Sequence, residues 1–213
     1  WAQGRVNSTF SRYSRVRSMT GMTGAEAARR LLNAQGIYDV TVQPIAGELT
    51  DHYDPRTKTV NLSQSVYGAT SVAAIGVAAH ECGHAMQDNE GYAPLRFRSA
   101  LVPAANFGSK LSWPLILLGL VFGGLGSPLV EIGILMFSLA VLFQLVTLPV
   151  EYNASARAVR LLDSQGILAG EEVSGTRKVL NAAALTYVAA AATSILQLLR
   201  LIILFGGRNR RDN

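Results

Sequence analysis

The chain has one cysteine, three histidines and few charges. Cys82 alone excludes an intrachain disulfide and fits a reducing compartment. Charged residues are 15% of the 213 and hydrophobic ones 49%, a balance too apolar for an ordinary water-soluble domain. Length by itself allows one domain or two. The basic residues are not interleaved with aromatics in a recognition pattern, which argues against a nucleic-acid partner. No signal-peptide pattern, internal repeat or low-complexity tract is present. Lys and Arg number 19 against 14 Asp and Glu, for a net charge of +5. In a membrane protein such an excess marks segments on the cytoplasmic side.

What the chain does have is His80-Glu81-Cys82-Gly83-His84, inside a run from Thr70 to Gln87 with helical character. Residues four apart on a helix share a face, so His80 and His84 can share one Zn²⁺. Glu81 is then placed to act on water beside the metal. Two of the three histidines of the whole chain flank this glutamate. Cys82 should face elsewhere on the helix, as a small buried filler.

Between Lys110 and Glu151 lie 40 residues, of which only Glu131 is charged. As helix they reach roughly 60 Å, two crossings of a hydrocarbon core about 30 Å thick. Gly123-Gly124-Leu125-Gly126-Ser127-Pro128 breaks the run as a turn. The expectation is a membrane hairpin, with one helix ending near Phe122 and a second from about Leu129 to Val150. Lys110 snorkels toward headgroups if the first arm extends back through Leu101–Phe107. A third apolar run spans Val179–Leu199 and continues past Arg200 to Phe205; it either crosses the membrane or lies against the hairpin. Trp1, Arg5, Arg12, Arg15 and Arg17 resemble the inner edge of a span whose apolar part is missing, or else form a flexible basic arm.

The remaining segments read as soluble. Thr23-Gly24-Ala25-Glu26 is a capping box and Gly36 a stop, giving a helix over Gly24–Gln35. Strand-like stretches follow at 39–44, 48–53 and 58–62, with Asp54-Pro55-Arg56-Thr57 as a turn. The edge of the Lys58–Leu62 strand could accept an extended substrate. After the hairpin, Glu151–Gln165 is expected as a new helix capped by Gly166, and Glu171-Glu172 and Arg177-Lys178 bracket a further start.

A catalytic zinc takes three protein ligands and keeps a position for water. Asp88, one turn past His84, is placed for an outer role, since reaching its own helix neighbours' metal is harder for so short a side chain. Glu131 belongs at the far end of the hairpin. Glu151 returns to the side of the motif helix, which makes it the candidate third ligand; alternatively it is a charge at a helix N-terminus. Ser155 shares its face.

The chain resembles the YugP-type membrane-bound neutral zinc metallopeptidases of bacteria. The resemblance rests on Leu49-Thr-Asp-His-Tyr-Asp-Pro-Arg-Thr-Lys-Thr, Gly76-Val-Ala-Ala-His-Glu-Cys-Gly-His-Ala, Gly91-Tyr-Ala-Pro-Leu and Leu145-Val-Thr-Leu-Pro-Val-Glu-Tyr-Asn-Ala-Ser, short pieces spread over most of the chain. It is more distantly similar to HtpX-like proteases, whose third ligand lies in Glu-x-x-Ala-Asp. Carried over, that motif puts the ligand at Glu151, Ala at Ala154, and Ser155 where the family has Asp. Family members commonly have Ala at the position of Cys82 and a membrane span before that of Trp1.

The resemblance implies a mainly α membrane protein with a small α+β zincin-like metalloprotease domain, the hairpin being inserted between the motif and the third ligand. The expected order is a basic juxtamembrane segment (1–22), a metalloprotease part (23–98), a transmembrane hairpin (99–150), a third-ligand helix and following segment (151–178), a C-terminal membrane helix (179–207) and a basic tail (208–213). The implied function is a zinc-dependent endopeptidase of the cytoplasmic membrane, multi-pass and facing the cytoplasm, with a role such as membrane-protein quality control. Its partners would be peptide or protein substrates, the lipid bilayer and other membrane proteins. Glu81 is the general base, while His52, Tyr53 and Tyr152 are candidates to stabilise an oxyanion, none fixed by spacing. The alternative is a catalytically silent metal-binding membrane scaffold, which would have no chemical need for Glu81. A transporter would want more polar residues in its spans than Gln144, Gln197 and a few hydroxyls.

Overall fold

The computed structural model describes residues 1–124 and 127–205. The middle of the hairpin turn, Leu125 and Gly126, and the basic tail with Arg208, Arg210 and Arg211 lie outside the described residues. The chain is mostly helical, in the order α1 (Ala2–Ser14), α2 (Gly24–Ala34), β1 (Thr41–Ile45), β2 (His52–Asp54), β3 (Thr59–Ser63), α3 (Gln64–Tyr67), α4 (Val72–Asn89), α5 (Ala93–Gly123), α6 (Pro128–Ser164) and α7 (Glu171–Phe205). It divides into two compact units, Trp1–Tyr92 with Val150–Thr186, and Ala93–Pro149 with Tyr187–Asn213.

The first unit is built around α4. Ser71 caps it, accepting from the Ala74 amide, and its Ala-rich surface is buried on nearly every side. Leu31, Leu32, Val60, Leu62, Val66, Ile75, Leu162 and Ile167 complete the core. α2 starts on the reciprocal Thr23–Glu26 capping box and stops before Gly36 at φ +69, as its sequence requires. α1 is helical and packs Phe10 and Tyr13 onto the same core. Cys82 is fully buried with Sγ 3.6 Å from the Ala28 carbonyl oxygen, and burial pushes its thiol pKa well up. It is a packing residue, as expected.

The sheet has the order β1-β3-β2, with β1 parallel and β2 antiparallel to β3. The 58–62 strand is therefore central, and its ladder positions are taken on both sides. The expected substrate edge on that strand does not exist; the edges belong to β1 and β2. Three β-branched or apolar residues close together signal a strand, but not whether its neighbours cover it.

In the second unit α5 and the first part of α6 run antiparallel. A Cβ on Gly108 would collide with the Met136 carbonyl, and one on Gly133 would come within 2.9 Å of the Ser112 oxygen. Small residues let these backbones approach closely, as membrane helices do. α5, α6 and α7 are each long and apolar enough to cross a membrane.

Two helix boundaries differ from expectation. α6 continues from Pro128 through Pro149 to Ser164, so Glu151 lies inside a helix and not at its start. The helix-terminus explanation for Glu151 falls with that boundary. Proline reads as a break, but long apolar helices tolerate it when neighbours satisfy the freed carbonyl. α7 likewise passes from charged Arg177-Lys178 into the apolar run without interruption. The change there is in surroundings, not in backbone.

Candidate metal centre

Two helices bring the site together. The motif helix α4 meets α6 where Gly83 faces Ala154: a Cβ there would lie 2.6 Å from the Ala154 carbonyl oxygen and 3.0 Å from its Cα. The glycine between the two histidines thus permits the approach that sets Glu151 against them. On α6 the buried stripe Glu151, Ala154, Ser155, Ala158 and Leu162 follows helical spacing, with the small Ala154 and Ala158 fully packed.

His80 Nε2 lies 3.2 Å from Glu151 Oε2, and His84 Nε2 lies 3.6 Å from the same oxygen. One donor atom from each residue fits within a 4.8 Å circle of mutual distances. Ligands about 2.0–2.2 Å from a tetrahedral zinc are themselves roughly 3.3–3.6 Å apart, so the spacing suits such an ion. The imidazoles meet edge to face, with centroids 4.8 Å apart.

The outer ring nitrogens are engaged as well. His84 Nδ1 donates to Gln87 Oε1 over 3.0 Å. The Gln87 amide is oriented by its other end, which donates to the Val150 carbonyl and to Asn153 Oδ1. Arg157 Nε donates to the same Asn153 oxygen, and Arg157 also pairs with Glu90 at 2.6 Å. His80 Nδ1 lies 3.1 Å from Ser155 Oγ. Fixing Nδ1 leaves each Nε2 directed at Glu151, the arrangement that orients metal-binding histidines. Burial pulls the His84 pKa down, but its hydrogen bond to Glu151 and the charges of Glu81 and Glu151 outweigh this and hold it above the ordinary value. Glu151 is 2% exposed, so a carboxylate is held in a nearly dry place that needs positive charge beside it.

Glu81 is buried, and among the described residues no side chain hydrogen-bonds to its carboxylate. The other candidates sit apart from the three donors. His52 is exposed on β2, with Nδ1 2.8 Å from the Thr50 carbonyl oxygen and Nε2 3.2 Å from Asn61 Nδ2. Asp88 accepts from Tyr53 Oη and Lys58 Nζ, each at 2.8 Å, tying β2 and β3 to the end of α4. Burial, together with that bond to Asp88, raises the Tyr53 pKa well above a free phenol's. Tyr152 is half-exposed and lines a cavity beside α7. Sequence reasoning passed over Gln87, Asn153 and Arg157. The available signal was Gln87 three residues after His84, on the same face of the motif helix.

Residues 1–206 match the family described as "Putative neutral zinc metallopeptidase". The chain is also 50% identical over 212 residues to the "Putative membrane protease YugP" of Bacillus subtilis (strain 168), an alignment covering 100% of this chain and 92% of that protein. No solved structure matches. The motif on α4, the glutamate brought to it by α6 and the match along nearly all of the chain agree, and the chain belongs to the neutral zinc metallopeptidase family.

Proposed function

We propose that this protein is an integral-membrane zinc endopeptidase that hydrolyses peptide bonds of protein substrates, with His80, His84 and Glu151 as the metal ligands. The observation that carries the reading is the convergence of three donors, the two histidines already held by their outer ring nitrogens, next to the buried carboxylate of Glu81. A zinc ion held there supplies Lewis acidity, acidifying water and polarising a scissile carbonyl. Glu81 accepts the proton of the attacking water and delivers it to the departing amine nitrogen. Ser155 and Gln87 keep the imidazoles turned toward the ligand position. The fold around α4 is zincin-like in this reading, and the domain faces the cytoplasm, where substrates of membrane-protein quality control are presented. The basic residues of the first 30 positions favour that side.

Glu81→Gln tests the chemistry. The variant should retain one zinc per chain and lose roughly 10²–10⁴-fold in cleavage of an unfolded protein in detergent. Undiminished cleavage would overturn the role of Glu81. For orientation, a cysteine at Thr57 in a Cys82→Ala background should resist an impermeant thiol reagent in intact spheroplasts; labelling would put the domain on the other side.

A further inference from the structure

A second feature of the first unit lies outside the metal centre. A cavity of about 760 Å³ opens among α1, α6 and α7, and three exposed cations, Arg5, Arg12 and Lys178, are among its lining residues. No carboxylate lines it, and among the described residues none of the three cations has an acidic partner. Arg5 stacks over the Trp1 ring at 5.6 Å and Arg12 over Tyr13 at 5.6 Å. Stacking orders a guanidinium by its face and leaves its N–H edge open to an anion. Tyr152 and Asn181 add neutral polar groups to the wall.

We propose that this cavity binds the phosphodiester headgroup of an anionic phospholipid. Three cations lining one cavity without counter-charge call for an anion, and a phosphodiester presents a pair of unesterified oxygens that an arginine fork can grip. The position selects the source. On α6 the wall residue is Tyr152, just past the apolar run that ends at Val150; on α7 the wall runs from Lys178, immediately before the apolar run that begins at Val179, to Asn181, Ala182 and Leu185 within it. Both helices therefore cross the border between polar and apolar sequence at this cavity, where headgroups lie. The half-exposed Tyr152 is a side chain of that zone. Ala182 and Leu185 form an apolar flank on the α7 side, suited to the first carbons below a headgroup. An acidic peptide is the weaker occupant, since none of His80, Glu81, His84 or Glu151 borders the cavity. The proposal rests on α6 and α7 entering a bilayer.

The test uses the full chain in neutral detergent with soluble dihexanoyl lipids, so the measurement does not itself require a bilayer. Dihexanoylphosphatidylglycerol should bind roughly tenfold or more tightly than dihexanoylphosphatidylcholine, by calorimetry or by shift in Tm. Arg5→Gln/Arg12→Gln/Lys178→Gln should abolish the preference. A control removing equal charge from exposed positions that do not line the cavity, Arg15→Gln/Arg96→Gln/Lys110→Gln, should keep it. Lys178→Gln alone should weaken it severalfold, which keeps the test decisive if the triple variant misfolds. Equal loss in both triple variants would make the preference a diffuse surface effect and overturn the site. Equal binding of inorganic phosphate would overturn the lipid as its source. Zinc content and flotation with phosphatidylcholine vesicles, measured in parallel, report separately on the metal centre and on membrane insertion.

Discussion

The two units of this chain use similar residues in opposite ways. α4 is apolar on almost every face, and protein covers almost every face, charged and amide side chains included. α5, α6 and α7 are also apolar all round, yet only 28%, 17% and 11% of their most apolar stretches are buried. A helix with apolar residues all round needs covering from somewhere. In the first unit other elements supply it; in the second, Leu117, Val121, Phe122 and Leu135 are left exposed, a surface suited to lipid and not to water. Composition alone would put all four helices together. The polar residues separate them, since α4 spends its few on a site and the other apolar stretches have almost none to spend.

The comparison breaks hardest at Glu151, the residue of α6 that belongs to the first unit just after the apolar stretch. Glu151→Ala should lower zinc affinity by more than about a hundredfold, while Asp88→Ala should leave it alone. Metal-to-protein ratios after dialysis decide between them, and zinc loss on changing only Asp88 would mean a different ligand set.

A sharper contrast comes from paired glycines. Gly83→Val pushes a branched side chain into the Ala154 backbone and should cost about 3 kcal/mol or more, with loss of bound zinc. Gly108→Val pushes into the Met136 backbone of the other unit and should lower thermal stability in detergent with zinc content unchanged. Equal zinc loss in both would show that the units are not separable in function.

Smaller effects belong to the outer partners. Ser155→Ala and Gln87→Ala should each weaken zinc binding about 10–100-fold without unfolding the chain, as competition with a chelator would report. Gln87→Ala should be the more harmful, because it also removes the hydrogen bonds that tie α4 to the Val150 carbonyl and to Asn153 on α6.

The smallest effect concerns the ion pair at the rim. The hydrogen bond from Arg157 holds the Glu90 carboxyl below its ordinary pKa of 4.5. A lowered folded pKa contributes stability above the unfolded value and loses it as pH falls through the folded one. Glu90→Gln should therefore cost less than about 1 kcal/mol at neutral pH, and the difference from wild type should shrink as pH drops below 4.5. Denaturant melts at pH 7 and pH 3 measure it; a gap that widens in acid would reverse the assignment.

The local chemistry of this protein was legible in its residues wherever one segment carried the whole signal. The capping box of α2, the motif helix and the three apolar runs needed only spacing and composition. The third donor was legible because the hairpin constrains where its ends return. What failed depended on neighbours distant in sequence. The 58–62 strand gave no sign of being flanked on both sides, and Pro149 gave no sign that the helix would continue through it. Gln87, Asn153 and Arg157 are ordinary polar residues in the sequence; only the packing of α4 on α6 makes them one network.

His80 and Glu151 are 71 residues apart in the chain, and the apolar hairpin lies between them. A ribosome therefore releases two donors of the site long before the third, and everything it makes in the interval is destined for a different solvent. Until the hairpin has been made and its return arm has come back, the nascent motif helix has no Glu151 and no Ser155, and its histidines are unpositioned. A peptidase built this way would have no complete metal centre until the hairpin and the start of its return helix had been made.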